Sequence, residues 1–145
     1  MSQPLPKEFV ASMREMLGDD AEKLFAALDT DPATSIRLNP MKPAKVFDGE
    51  TIGWSKWGRY LAERPQFTLD PLMHGGAYYV QEASSQFVGY LLGGDDMSGK
   101  RVLDMCAAPG GKTTIYSTLV GREGLVVAND INRSRTLALA DNVQR

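Results

Sequence analysis

Asp104, Cys106, Lys112 and Asp130 are the side chains whose types and spacing bear on chemistry, and three of them lie in one stretch, residues 101–112, RVLDMCAAPGGK. Its run from Asp104 to Gly111 aligns with the generic cofactor loop acid-x-Gly-x-Gly-x-x-Gly, with Cys106, Ala108 and Gly111 in the glycine places. Small residues there let the backbone approach a ligand, and a helix start just beyond offers open N–H groups. Cys106 and Ala108 each add a Cβ to the dinucleotide pattern, so a diphosphate is the less suitable guest. A bare strand-turn-helix corner is the alternative. Asp130 closes a second apolar run, where an acid can accept both hydroxyls of a ribose or cap the next helix. Asp104 is suited to positioning a cofactor amine or to capping the turn. Gly111-Lys112-Thr113 also matches the end of a phosphate loop. That loop's first glycine would fall on Cys106, and Pro109 removes an N–H that phosphates would need, which excludes an ATPase. Cys106 stands beside a helix N-terminus that favours thiolate, yet no base accompanies it, so it is read as part of the loop rather than as a nucleophile.

The elements that position these residues follow from periodicity. Residues 101–106 read as a short buried strand. Pro109-Gly110-Gly111 turns the chain, and a helix opens at Lys112 with Ile115, Leu119 and Val120 on one face. Residues 125–128 form a second strand, and a further helix is expected over residues 133–143. Such a strand-turn-helix-strand unit holds a nucleotide-like cofactor over its first turn. Upstream, helices are predicted over residues 7–17, with Phe9, Val10, Met13, Met16 and Leu17 as the apolar stripe, and from Asp19 through Leu28, with Leu24, Phe25 and Leu28 inward. Residues 35–38 alternate as a strand. Residues 42–53 carry little pattern, and Trp54, Trp57, Tyr60 and Leu61 are read as one surface. Residues 67–69 read as a weak strand, Gly75-Gly76 as a bend, and residues 82–92 as a helix with Phe87, Val88, Leu91 and Leu92 inward.

Composition bounds the rest. The 145 residues hold 16 Lys and Arg against 18 Asp and Glu, a net charge of −2, which argues neither for nor against a nucleic-acid partner. One cysteine and one histidine (His74) exclude a disulfide and a Cys/His metal site, and they fit a reducing, cytoplasmic setting. No run approaches the length of a membrane span, and the N-terminus lacks a secretory pattern. Two strands do not finish a doubly wound sheet, so the sequence is expected to be the front part of a longer protein.

DMCAAPGGKTT, followed by VVANDINRSR and DNVQR, resembles the Nop2/Sun family of S-adenosylmethionine-dependent RNA cytosine-5 methyltransferases, in its bacterial ribosomal-RNA branch. SIRLNP (residues 35–40) and HGGAYYVQEASSQ (residues 74–86) resemble that family's upstream motifs, in family order. The resemblance implies an α/β fold: a mixed α/β accessory region over residues 1–70 that grips RNA, then the first half of a Rossmann-like class I methyltransferase domain over residues 71–145. It implies that Cys106, Ala107, Ala108, Pro109, Gly110, Gly111 and Lys112 wrap the methionine part of S-adenosylmethionine and that Asp130 holds its ribose. Arg135 and Asn142 match recurring positions to which no role is assigned. Residues 78–86 would flank the site. The family's two cysteines, one attacking C6 of cytosine and one assisting release, have no counterpart here, so no catalytic residue is expected in this chain. The implied partner is ribosomal RNA, with tRNA as the other choice, and without membrane or metal. Two further readings stand beside this one: a non-catalytic RNA-binding or scaffold module, and an NAD-type oxidoreductase, which Cys106, Ala108 and Pro109 disfavour.

Overall fold

The computed structural model describes residues 4–44 and 47–145. They form two compact units, one up to Pro32 and one spanning residues 33–145. The first is a pair of helices, α1 (Lys7–Leu17) and α2 (Asp20–Leu28). Gly18 ends α1 with φ 56°, its amide bonded to the Arg14 carbonyl at 3.0 Å. Phe9 meets Phe25 edge to face, with ring centroids 6.4 Å apart, and Arg14 covers the Phe25 ring while donating to Glu22. Phe9, Val10 and Met13 of the expected stripe are half-buried, but Met16, Leu17 and Leu28 are exposed. Asp19 makes no capping hydrogen bond, and the acids of this turn are engaged by side chains, Asp20 by Lys23 and Glu22 by Arg14.

The second unit opens with an antiparallel sheet. Strands β1 (Thr34–Leu38), β2 (Glu50–Thr51), β3 (Gly58–Leu61) and β4 (Tyr78–Val80) lie in the order β2-β3-β1-β4. In its register Ile36 faces Val80 and Arg37 faces Tyr79. Tyr60 and Leu61 are successive strand residues and point to opposite faces, so the single surface expected for Trp54, Trp57, Tyr60 and Leu61 does not form. Ile36, Phe67, Ala77 and Tyr78 make the core under this sheet. Residues 67–69 are a turn of 3-10 helix rather than a strand. Asp70 and Pro71 follow at once and start the short helix α3 (Pro71–His74), with Asp70 accepting from the Leu72 amide. The part of the poorly patterned stretch at Lys45 and Val46 lies outside the described residues.

Helix α4 (Ala83–Leu91) then crosses to strand β5 (Arg101–Asp104). The burial expected for α4 is corrected. Its covered residues are Ala83 and Gln86, Val88 is half-buried, and Phe87, Leu91 and Leu92 are exposed. The sheet needs the polar residue: the Gln86 amide donates to the carbonyls of Ile36 and Gln81. Helix α5 (Gly111–Val120) joins β5 to β6 (Leu125–Ala128), which pairs with β5 in parallel. Helix α6 (Thr136–Gln144) follows. The strand expected over residues 101–106 ends at Asp104, where Asp104 turns its side chain onto the Cys106 amide. Nor is it buried throughout: Val102 and Val126 are half-buried, while Leu103, Leu125 and Val127 on the other face are exposed. Parallel strands are apolar on both faces because both are normally covered.

Candidate cofactor site

The parallel register brings the C-terminal ends of β5 and β6 side by side, Asp104 opposite Ala128. The pairing runs one step further, from the Asn129 amide to the Asp104 carbonyl at 2.8 Å and from the Ala107 amide to the Asn129 carbonyl at 2.9 Å. Asp104 is buried beneath the turn. One carboxylate oxygen accepts from the Cys106 amide and the other from the Thr113 hydroxyl at 2.7 Å. It therefore caps the turn and ties it to the first turn of α5.

The turn alternates in exposure. Ala107, Ala108 and Gly110 are buried, Gly111 is half-buried, and Cys106, Pro109 and Lys112 face outward. Gly110 has φ 113°, a conformation that side chains avoid, and a Cβ there would press on Leu139 and Asn142 at 3.3 Å. Gly110 caps α5 without a side chain, and the first turn of α5 holds no acid. The Asp104 carboxylate at this helix end is taken up by the Cys106 amide and the Thr113 hydroxyl, and the first amides of α5 with the Lys112 charge remain a setting that suits a further carboxylate.

Asp130 braces the turn from the second strand. Its Oδ2 accepts from the Ala108 amide at 3.0 Å and its Oδ1 from the Asn132 amide at 2.9 Å. The side chain keeps 5 % of its surface exposed. These bonds hold its carboxyl below the usual range, with the Asn132 amide the largest cause, partly offset by burial, and with Ala108 and the Arg135 charge adding to it. Each oxygen has a second lone pair, so the carboxylate retains acceptor capacity. Asp130 does not cap α6, which starts at Thr136 rather than residue 133. It closes a short turn onto Asn132, and Asn132 in turn accepts from Ser134.

Arg135 and Asn142 acquire the roles that their sequence positions left open. Arg135 donates to the Ala108 carbonyl at 2.5 Å, and Asn142 donates to the Pro109 carbonyl at 2.6 Å. Leu139 between them packs on Ala107 and Ala108. Residues 135, 139 and 142 recur at i, i+4 and i+7, the spacing of one helix face, and that was the signal available in the sequence. Cys106 is exposed, and its amide serves Asp104. His74 is engaged with the Thr68 carbonyl at 2.8 Å and takes no part in the turn. A cavity of about 560 Å³ lies elsewhere, between β6, α5 and the end of β1 with the loop after it to Lys42. Its lining includes neither the turn before Thr113 nor Asp130.

A depressed carboxyl has a defined pH signature. The Asp130 brace is fully present above the ordinary aspartate pKa of about 3.9 and is lost as pH falls through the lower folded value. An NMR titration should show the Ala108 amide shift moving with a midpoint below the ordinary aspartate pKa of about 3.9. Movement centred at an ordinary aspartate pKa or above would exclude the brace.

A family model described as the N-terminal domain of 16S rRNA methyltransferase RsmF matches residues 5–83. The chain belongs to the RsmF family. A second model, 16S rRNA methyltransferase RsmB/F, matches residues 94–145 and so contains the turn, Asp130 and α6. Ribosomal RNA small subunit methyltransferase F of Vibrio cholerae serotype O1 (strain M66-2) is 32 % identical over 97 % of this chain and 33 % of its own length. The protein of the same description from Salmonella paratyphi B is also 32 % identical, with the same coverage. The chain thus spans a third of the length of these curated relatives. Among solved structures, the crystal structure of PH0851 matches with a TM-score of 0.80 at 25 % identity, over 96 % of this chain and 33 % of that one. A methyltransferase homolog protein from Pyrococcus horikoshii matches at 0.76 and 28 % identity, over 96 % and 50 %. The β5-α5-β6 unit is accordingly the start of a Rossmann-like methyltransferase fold behind a mixed α/β region. Among the described residues no helix is long and apolar enough to cross a membrane, and no group of His, Cys, Asp and Glu is placed to hold a metal ion.

Proposed function

We propose that the complete protein is an S-adenosylmethionine-dependent RNA cytosine-5 methyltransferase acting in the cytoplasm on 16S ribosomal RNA. In this reading residues 1–70 grip the RNA and residues 71–145 open the cofactor domain, the two sharing the β1–β4 strand pair. The observation that carries the reading is the turn over the paired ends of β5 and β6, buried at Ala107 and Ala108, open at α5 and braced by Asp130. Its donors suit the cofactor: the α5 amides and Lys112 face a carboxylate, and the spare lone pairs of Asp130 face ribose hydroxyls. S-adenosylmethionine, when bound, supplies an electrophilic methyl group. The work of Cys106, Ala107, Ala108, Pro109, Gly110, Gly111, Lys112 and Asp130 is to hold and orient it.

The test is calorimetry of the complete protein with S-adenosylmethionine, followed by tritiated-methyl transfer to 16S ribosomal RNA. Absence of cofactor binding, or transfer to a position other than C5 of cytosine, would sink the reading. NAD serves as the competing ligand for the oxidoreductase alternative. One observation favours a second reading for residues 1–145 taken alone: their single cysteine stands in the cofactor turn, so they act as a binding module without chemistry. Residues 1–145 should leave ribosomal RNA unmethylated in the same assay.

Cys106 should prove replaceable. Its backbone serves the turn while its side chain faces out. In the complete protein, Cys106→Ala is expected to keep cofactor affinity within about threefold and substantial methyl transfer. A covalent RNA adduct trapped through Cys106 would reverse that assignment and make it a nucleophile.

A further inference from the structure

Two cross-strand partners of the β1–β4 pair, Arg37 and Tyr79, reach residues that hold the cofactor turn. Arg37, the fourth residue of β1, is 7 % exposed. Its Nε donates to the Gln81 side-chain oxygen at 2.9 Å and its Nη2 to the Thr114 hydroxyl oxygen at 2.6 Å. That hydroxyl in turn lies 2.9 Å from the Gly110 carbonyl and 3.1 Å from the Gly111 carbonyl, so its own proton goes to the turn. The other end of Gln81 is pressed against the same place: a Cβ on Gly111 would stand 3.0 Å from its Nε2. Tyr79, the cross-strand partner of Arg37, has its hydroxyl 3.3 Å from the Asn142 amide that donates to the Pro109 carbonyl.

The charge on Arg37 is an expensive way to fill this space. Among the described residues no carboxylate pairs with it, and its recorded partners are neutral oxygens. Burial pushes its pKa down to about 10, so it remains protonated at neutral pH. It also stands beside the positive end of α5. A neutral side chain would meet the needs of the fold without these penalties. What a neutral residue does not supply is a rigid fork that holds Gln81 and Thr114 at once.

We propose that Arg37 is a positioning residue for the cofactor turn: clamped by Gln81, it fixes Thr114 and through it the Gly110 and Gly111 carbonyls, so that the N-terminal sheet sets the shape in which the turn receives S-adenosylmethionine. The inference rests on the cofactor reading given above. Arg37→Lys keeps the charge but loses the fork, and Thr114→Val removes the acceptor. In the complete protein each is expected to weaken S-adenosylmethionine about five- to twentyfold by calorimetry. The double variant should be no more than about twofold weaker than the weaker single one, because both act through one bond. Arg37→Gln should bind more weakly than Arg37→Lys. The thermal midpoint without cofactor should move little in Arg37→Lys, and KM for the cofactor should rise while kcat holds. Unchanged affinity in folded Arg37→Lys, losses that add in the double variant, or losses that track the midpoint would overturn the positioning role while leaving the cofactor reading intact. A wild-type protein that binds no S-adenosylmethionine would overturn the cofactor reading, and this inference with it.

Discussion

Asp130→Ala in the complete protein is expected to weaken S-adenosylmethionine binding by about ten- to hundredfold while the chain stays folded. Two losses combine. The carboxylate no longer offers its spare lone pairs to the ribose, and the Ala108 and Asn132 amides lose their acceptor. Arg135 still holds the Ala108 carbonyl, and Asn142 still holds the Pro109 carbonyl, so the turn is loosened rather than released. Calorimetry with S-adenosylmethionine and with S-adenosylhomocysteine separates this from an effect on methyl transfer, because both ligands carry the ribose and both should weaken alike. Unchanged affinity for either ligand in a folded variant would remove Asp130 from the ribose site.

Gly58→Ala is expected to cost about 1–3 kcal/mol of stability, the range of overpacking in a closed core. Gly58 opens β3 opposite Arg37, and a Cβ there would stand 2.5 Å from the Gln86 side-chain oxygen and 2.8 Å from the Ile52 methyl. Both neighbours are fully buried, and the Ser55 Cβ would stand 2.9 Å away as well, so three side chains must shift together. Gln86 also links α4 to β1 through its amide, so displacing it strains that bond, and among the described residues its side-chain oxygen has no hydrogen-bond partner. Denaturant titration reads the loss, and at low denaturant the surviving folded fraction should still bind cofactor. A stability within about 0.5 kcal/mol of the wild type would show that this packing is looser than described.

The strand-turn-helix geometry was legible in residues 104–112 because small residues, a proline and two glycines between an apolar strand and a helix start admit few backbones. The seven turn residues and Asp130 come together in the structure at the ends of β5 and β6, where the spacing put them. Helix α1 was also readable to its ends, since its pattern is local and Gly18 stops it. Local pattern failed where a polar residue takes the core. Hydrophobicity put Phe87, Leu91 and Leu92 inside α4, yet the covered residues are Ala83 and Gln86, because Gln86 donates to the carbonyl of Gln81 nearby and to that of Ile36, 50 residues away. Residues 67–69 alternate like a strand, but their neighbours Asp70 and Pro71 start a helix and leave room only for a tight turn.

Which residues brace the turn was a tertiary matter. Arg135 and Asn142 sit 27 and 33 residues from the carbonyls they hold, and Arg37 acts across 77 residues on Thr114. A sequence shows that such side chains are polar, not which carbonyl or hydroxyl will lie within 3 Å of them. By itself the sequence determined the chemistry offered by the turn, because backbone freedom and helix starts are local properties. The tertiary structure decided how that turn is held, because a hydrogen bond between distant residues exists only once packing of the sheet and helices has brought them together.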